Sequence, residues 1–259
     1  MKFETKAIHG VRTPEKGIEN WGNTINLATT FPIKEYNVMQ EFEYSRVMSP
    51  TRKDFESIIA QLENGKHGFG FSSGMAATTS IFTMFKAGDH FVLGLDIYGG
   101  TFRIMNDVFR HFGFEATFVD TTDLSKVEAA IRPNTKAIFI ETPSNPLLDV
   151  TDIRGVVAIA KKHQLLTIVD NTFMSPVLQR PLELGADIVL HSATKFLGGH
   201  NDIVAGAAVV NRDDLAEKIT FAQVAMGALV SAFDSWLLLR SMKTLKLRVE
   251  KAQENTLKL

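Results

Sequence analysis

A lysine and an aspartate each stand directly after a short apolar run in this sequence. Lys195 follows the run that ends at Leu190, and Asp170 closes the apolar run before it. A lysine after a buried strand is costly unless it has a partner or a function, although its amine can also reach solvent. The alternative for Asp170 is a turn or a helix cap. Together, at consecutive strand ends, the two favour a Schiff-base lysine and a carboxylate that keeps the pyridinium nitrogen of pyridoxal 5′-phosphate (PLP) protonated.

A phosphate site is predicted beside them. Ser73-Gly74-Met75-Ala76 opens a helix after a strand, where free backbone N–H groups and the helix dipole favour an anion. Ser192 and Thr194 can add hydroxyl donors. Plain helix capping by Ser72 and Ser73 is compatible with this function. The sequence has no Gly-Lys-Ser/Thr triplet, and its glycines lack dinucleotide-fingerprint spacing, so neither rival phosphate motif applies.

Two aromatic or basic candidates complete the set. Tyr98 could stack on a flat ring, or it could be a half-buried core tyrosine. Tyr44-Ser45-Arg46 offers an arginine fork that suits a phosphate, and a solvated arginine is the alternative.

The elements that must position these residues alternate between strands and helices. The predicted strands are Phe69–Phe71, Phe91–Leu95, Ala116–Val119, Ala137–Ile140, Leu165–Val169 and Ile188–Leu190. The predicted helices are Ala76–Lys86, Phe102–Phe112, Leu124–Ile131 and Ile153–His163, with N-caps at Asp123 and Thr151, and one last helix from Asp234 to Leu259. This alternation indicates an α/β fold, in which ligands bind at the carboxyl ends of the strands. The polar residues after five strands should therefore converge.

Composition excludes several other classes of function. The formal net charge is −1, so nothing indicates nucleic acid or an anionic membrane as a partner. There are no cysteines, which rules out disulfides and thiolate metal sites, and no His/Asp/Glu group has convincing metal-ligand spacing. No secretory signal and no membrane-spanning apolar run is present, so we expect a cytoplasmic protein.

Six ordered motifs resemble the Cys/Met-metabolism family of PLP enzymes, which contains cystathionine γ-synthases, cystathionine β- and γ-lyases and methionine γ-lyases. They are Tyr44-Ser45-Arg46, Ser72–Ala76, Tyr98-Gly99-Gly100-Thr101, Glu141–Pro146, Asp170–Phe173 and His191–Lys195 with Gly198-Gly199-His200. The resemblance implies a type I PLP-dependent transferase fold (aspartate aminotransferase-like), with a mostly parallel seven-stranded sheet flanked by helices. It divides the chain into an arm (1–60) that contacts a neighbouring subunit, a large PLP-binding domain (61–233) and the start of a linker helix (234–259). A C-terminal small domain that binds the substrate carboxylate would be absent here.

The resemblance also implies a role for each residue. Lys195 carries PLP as an internal aldimine, Asp170 pairs with the ring nitrogen, and Tyr98 stacks on the ring and assists proton transfers. Gly74, Met75, Ser192 and Thr194 hold the phosphate, and Asn145 lies near the 3′-oxygen of the ring. Tyr44 and Arg46 reach the phosphate from a neighbouring subunit, which implies a dimer, usually within a homotetramer.

The implied activity is a carbon–sulfur lyase acting on cystathionine, with γ-elimination slightly favoured over β-elimination. Methionine γ-lyases carry a cysteine where this chain has Gly100, which favours the cystathionine lyases. The alternatives are γ-replacement on an acylated homoserine and a non-catalytic PLP-binding protein. The segment Ser192–Lys195 also fits the Ser-x-x-Lys pattern of penicillin-recognising enzymes, but their Ser-Asp-Asn and Lys-Thr-Gly motifs are missing.

Overall fold

A seven-stranded sheet forms the centre of the molecule. The computed structural model describes residues 1–10 and 22–259. The strands are β1 (His67–Phe71), β2 (His90–Gly94), β3 (Glu115–Val119), β4 (Thr135–Glu141), β5 (Leu166–Asp170), β6 (Ile188–Ser192) and β7 (Gly206–Val210). Their order across the sheet is β1-β7-β6-β5-β4-β2-β3, and only β7 runs against its neighbours in this described sheet. The predicted mostly parallel α/β sheet is confirmed.

Helices cover both faces of the sheet. They are α1 (Phe3–His9), α2 (Pro50–Leu62), α3 (Gly74–Phe82), α4 (Gly99–Arg103), α5 (Leu124–Ala129), α6 (Ile153–Lys162), α7 (Ser175–Leu178), α8 (Asp213–Met226), α9 (Ala232–Met242) and α10 (Leu245–Thr256). Successive strand residues point to opposite faces, so Ile168 packs in the core layer under α3 and α8 whereas Val169 packs on the side of α6. Helices α2 and α9 cover the same side as α6, over β6 and β7. The sheet is thus buried on both faces, as parallel sheets require.

The segment predicted to be an N-terminal arm, residues 1–60, contains two helices. Helices α1 and α2 lie inside it, and residues 11–21 are outside the described part of the chain. Pro50 occupies the first turn of α2, where its missing N–H costs nothing. The segment from 22 to 49 has little regular structure, with a single bridge between Thr30 and Tyr44.

One strand was not predicted, and two predictions are wrong for local reasons. Strand β7 was missed because its run of small residues, Gly-Ala-Ala-Val-Val, carries a weak apolar signal. The predicted N-cap Thr151 is instead buried, with its hydroxyl 2.6 Å from that of Thr121, and Asp152 caps α6. The predicted helix Phe102–Phe112 begins earlier, as α4, and continues as a π-helical turn (Ile104–Val108) and a 3-10 turn (Phe109–Phe112). The N-cap at Asp123 is confirmed.

The last predicted helix is two helices, α9 and α10. The break falls after Met242, where the carbonyl of Ser241 accepts hydrogen bonds from the Thr244 hydroxyl (3.1 Å) and from Arg248 Nη2 (2.9 Å). These side chains compete with the helical ladder for the same acceptor. Arg248 also donates to the carbonyl of Phe196 at 2.8 Å, which ties α10 to the segment after Lys195.

His90 is a buried histidine that the fold keeps neutral. Its Nδ1 lies 2.8 Å from the hydroxyl of Thr135 and its Nε2 lies 2.9 Å from the hydroxyl of Thr117. Burial, aided by the positive charge of Arg132, lowers the pKa of His90 from 6.5 to about 4. The unfolded chain therefore takes up a proton at this position before the folded chain does.

We expect stability to fall as the pH drops from 6.5 to about 4, because His90 must be neutral in the folded chain. Replacing His90 by asparagine should reduce the difference between the unfolding free energies at pH 7 and pH 4.5 by about 2 kcal/mol. Urea denaturation at both pH values measures this difference. The same substitution at the exposed His111 is the control, and equal pH dependence in wild type and His90→Asn would contradict the prediction.

Candidate active site

The polar residues at the strand ends converge on a cavity of about 260 Å³. The ends of β4, β5 and β6 and the start of α3 form its walls. It brings together eight of the residues predicted from the sequence: Gly74, Met75, Tyr98, Asn145, Asp170, Ser192, Thr194 and Lys195.

In the part of the chain that the structure describes, no group of three metal-ligating side chains is placed to hold an ion, and no helix is long and apolar enough to cross a membrane.

The other two predicted residues lie elsewhere in this chain. Arg46 donates from Nη1 to the carbonyl of Val224 in α8 at 2.7 Å, and its guanidinium lies 5.3 Å from the ring centroid of Tyr44. Neither residue lines the cavity. Their predicted role toward a phosphate would thus require a cavity in another subunit.

Lys195 offers a free amine to the cavity. The residue is exposed rather than buried, so its position carries no large desolvation cost, contrary to the sequence argument. Its Nζ makes no hydrogen bond or ion pair with any described residue. The backbone around it is fixed, because its N–H donates to the carbonyl of Ser192 (3.2 Å) and its carbonyl accepts from Gly199 (2.7 Å).

Asp170 presents a carboxylate to the same cavity without a basic partner. Burial raises the pKa of Asp170, while hydrogen bonds from the hydroxyl and the N–H of Thr172 and the charge of His191 oppose that rise. No lysine or arginine within the described ranges forms an ion pair with Asp170. A half-buried anion of this kind is stabilised by a cationic N–H donor, and a protonated ring nitrogen of PLP meets that requirement.

Glu141 is a cavity residue whose role the sequence did not reveal. It ends β4, directly across from Asp170 in the register of β4 and β5. Its Oε2 accepts the backbone N–H of Tyr98 at 2.7 Å, so it fixes the residue whose ring is predicted to stack. Burial, followed by the negative charge of Asp170, raises the pKa of Glu141 to about 8. The signal in the sequence that could have identified Glu141 is its position at the end of an apolar strand, which it shares with Asp170.

The start of α3 forms a cradle suited to a phosphate. The hydroxyl of Ser73 accepts from Ala76 N at 3.0 Å, which leaves the first helical amides, those of Gly74 and Met75, without intrahelical acceptors. A Cβ on Gly74 would lie 2.9 Å from the Cβ of Ser192, so only glycine allows this close approach.

Strand β7 also shapes the cradle. A Cβ at Gly206 would lie 2.2 Å from the carbonyl oxygen of Ser73. The hydroxyl of Thr194 donates to the carbonyl of Ala205 at 3.2 Å and accepts its N–H at 3.1 Å. Because that hydroxyl proton is committed to Ala205, Thr194 supports the cradle through β7, and Ser192 is the hydroxyl left free to donate to an anion.

The sequence matches the model of the family described as "Cys/Met metabolism PLP-dependent enzyme" over residues 4–259. The chain belongs to this family. The family resemblance predicted from the six motifs is thus confirmed, and PLP is the cofactor of these enzymes.

Relatives within the Cys/Met-metabolism family differ in reaction. The chain is 48% identical to cystathionine gamma-lyase of Bacillus subtilis (strain 168) over 259 residues, which is all of this chain and 68% of that protein. It is 47% identical to cystathionine beta-lyase MetC of the same organism over 257 residues, 99% of this chain and 66% of that protein. Cystathionine gamma-synthases match at comparable identity.

A solved structure agrees with this placement. The crystal structure of cystathionine gamma-lyase from Lactobacillus plantarum complexed with L-serine superposes with a TM-score of 0.93 at 50% identity, over 95% of this chain and 65% of that one. The chain thus spans about two-thirds of the length of the relatives it matches.

Gly100 should control the placement of the Tyr98 ring. A Cβ at Gly100 would lie 2.4 Å from Tyr98 Cε1 and 2.7 Å from Met75 Sδ. We expect Gly100→Ala to displace the ring and to weaken PLP binding by roughly tenfold, since overpacking costs about 1–3 kcal/mol. Titration of the cofactor-free protein with PLP measures this change.

The neighbouring glycine provides the matched control. A Cβ at Gly99 would meet only the end of the flexible Arg103 side chain, at 3.3 Å. Gly99→Ala should therefore bind PLP as the wild type does. Equal affinities for both variants would show that the space beside Tyr98 does not matter.

Proposed function

We propose that this chain is the cofactor-binding part of a carbon–sulfur lyase that cleaves cystathionine, by γ-elimination in preference to β-elimination. The observation that carries the proposal is the unpaired Lys195 amine and the half-buried Asp170 carboxylate lining one cavity, in a chain nearly half identical to cystathionine lyases. The γ-elimination would yield cysteine, 2-oxobutanoate and ammonia, and the β-elimination would yield homocysteine, pyruvate and ammonia.

The cavity residues suggest how PLP is held. Lys195 would hold its aldehyde carbon and Asp170 its ring nitrogen, while the amides of Gly74 and Met75 and the hydroxyl of Ser192 would bind the phosphate. Tyr98, at the cavity edge, would stack on the ring, and Asn145 would lie near its 3′-oxygen. When bound, PLP withdraws electrons from the α-carbon of an amino acid.

Lys195 is the proposed proton carrier. Once the substrate amine has replaced it, the neutral lysine amine can take the proton from the α-carbon. Expulsion of a thiol from Cγ needs a second proton removal, at Cβ, whereas expulsion from Cβ does not. An amine on a flexible side chain, without another partner in the described chain, can reach both carbons. Asp170 would keep the ring nitrogen protonated throughout.

Product analysis tests the reaction. With cystathionine as substrate for the full-length protein, we expect cysteine and 2-oxobutanoate as the main products. Homocysteine with pyruvate would assign β-elimination instead. Product formation only from an acylated homoserine plus a thiol would assign γ-replacement, and cofactor absorbance without any product would indicate a binding protein.

Lys195→Ala tests the catalytic assignment. We expect a loss of at least about a thousandfold in kcat, together with loss of the yellow absorbance of lysine-bound cofactor. Lys136→Ala, at an exposed lysine on β4, is the control and should behave as wild type. Normal turnover of Lys195→Ala would refute the assignment.

We also propose that Tyr44 and Arg46 bind the phosphate in a second copy of this chain, and that the enzyme is at least a dimer. The arm around them exposes many large apolar side chains that a partner would cover: Leu27, Ile33, Tyr36, Val38, Met39, Tyr44 and Val47. Arg46 itself lies outside the cavity of its own chain. An exposed apolar surface of this kind is typical of a subunit interface.

Mixed dimers test the second-copy role. Arg46→Ala and Lys195→Ala should each be impaired alone. Co-expressed at equal levels, they should regain about a quarter of wild-type activity, because half of the dimers are mixed and one of their two sites has both residues intact. Lys195→Ala co-expressed with Lys195→Arg is the control without recovery. If the first mixture also stays inactive, Arg46 does not act in a second copy.

A further inference from the structure

A buried acidic group contacts His191, one of the residues that line the cavity. Glu63, at the end of α2, is completely buried. Its Oε1 accepts from Asn171 Nδ2 at 2.8 Å and lies 2.6 Å from His191 Nε2. His191 is 2% exposed and is the only ion-pair partner of Glu63 among residues 1–10 and 22–259.

The contacts of Glu63 suggest where the protons of the pair lie. Glu63 Oε1 accepts one N–H from Asn171, and we assign the proton of its 2.6 Å contact with His191 to Nε2 of that ring. A buried carboxylate without a countercharge is strongly unfavourable, and no lysine or arginine in the described chain approaches it. An ionised pair therefore requires a second proton on His191 Nδ1, an atom that has no hydrogen-bond partner in the described chain.

The pair lies directly behind Asp170. Leu190 is the register partner of Asp170 across β5 and β6, and His191 is the next residue. Asn171, which binds Glu63, directly follows Asp170 and donates its N–H to Leu190 O at 2.9 Å. Neighbouring strand residues face opposite sides, so Asp170 faces the cavity while Glu63 contacts the residues behind it.

The pair affects Asp170 because several neighbouring groups influence whether that carboxyl is ionised. Glu141 lies beside Asp170 across the sheet register, and repulsion between the two carboxylates, with Asp96 nearby, disfavours their simultaneous ionisation. Two interactions favour the ionised form of Asp170. One is the positive charge that a protonated His191 would carry, and the other is the hydrogen bond that Thr172 donates.

We propose that Glu63 and His191 form a buried ion pair that keeps Asp170 ionised, so that both act as positioning residues for the ring nitrogen of PLP. The inference rests on the proposed contact between Asp170 and that nitrogen. It assigns a function to a glutamate that no motif in the sequence singled out.

Two ligands separate this electrostatic role from a structural one. PLP and its 1-deaza analogue, in which carbon replaces the ring nitrogen, differ only where Asp170 acts. We expect His191→Gln and Glu63→Gln in the full-length protein each to reduce the preference for PLP over the analogue by about tenfold, the order expected for one partly screened charge. The dissociation constants of both ligands give this ratio.

Control variants distinguish the possible failures. Asp170→Asn should abolish the preference, and if it does not, the proposed contact with the ring nitrogen is wrong. Gln179→Met removes neutral hydrogen bonds to Thr142 O (3.1 Å) and Asn171 Oδ1 (3.0 Å) in the same network and should leave the ratio unchanged. If Asp170→Asn abolishes the preference while His191→Gln and Glu63→Gln weaken both ligands equally, the pair is merely structural.

Neutron diffraction of the unmodified protein provides a test that does not depend on a variant's folding. We expect deuterium on both ring nitrogens of His191 and none on Glu63. Deuterium on one ring nitrogen only would overturn the proposal.

Discussion

Two acidic side chains brought together at the carboxyl ends of β4 and β5 are the constraint on which the site depends. Asp170 and Glu141 lie side by side there, and burial raises the pKa of both. Such a pair is tolerated only with compensating donors or cations nearby. Thr172 and the Tyr98 amide supply donors within the chain. A cationic ring bound in the cavity would favour the ionised form of Asp170, so the charges of the site match a PLP-type ligand.

Close packing of the backbone shapes the cavity beside these two carboxyl groups. Gly74 and Gly206 allow α3 and β7 to approach Ser192 and Ser73 at distances that any side chain would prevent. The antiparallel strand β7 thus takes part in the site, although it carries no reactive group. Ala205, directly before β7, forms two hydrogen bonds with the hydroxyl of Thr194, so Thr194 connects the cradle to this strand.

Much of the fold was accessible from the sequence because α/β sheets have strong periodic signals. The parallel strands were predicted to within a few residues, since their apolar runs are bounded by polar residues at both ends. The exceptions are informative. Strand β7 is made of small residues whose burial depends on the neighbouring strands. At the break between α9 and α10, Arg248 donates a hydrogen bond to the carbonyl of Ser241. Neither is visible in a local apolar pattern.

For the site, the sequence by itself determined which reactive groups follow the strands: Lys195, Asp170, Tyr98 and the glycines at the start of α3. These follow from residue type and position along one strand or helix. Only the tertiary structure decided that Glu141 holds Tyr98 and that Glu63 pairs with His191, 128 residues away. The reason is physical: hydrogen bonds and ion pairs act over a few ångströms in space, and chain folding alone decides which distant residues come that close.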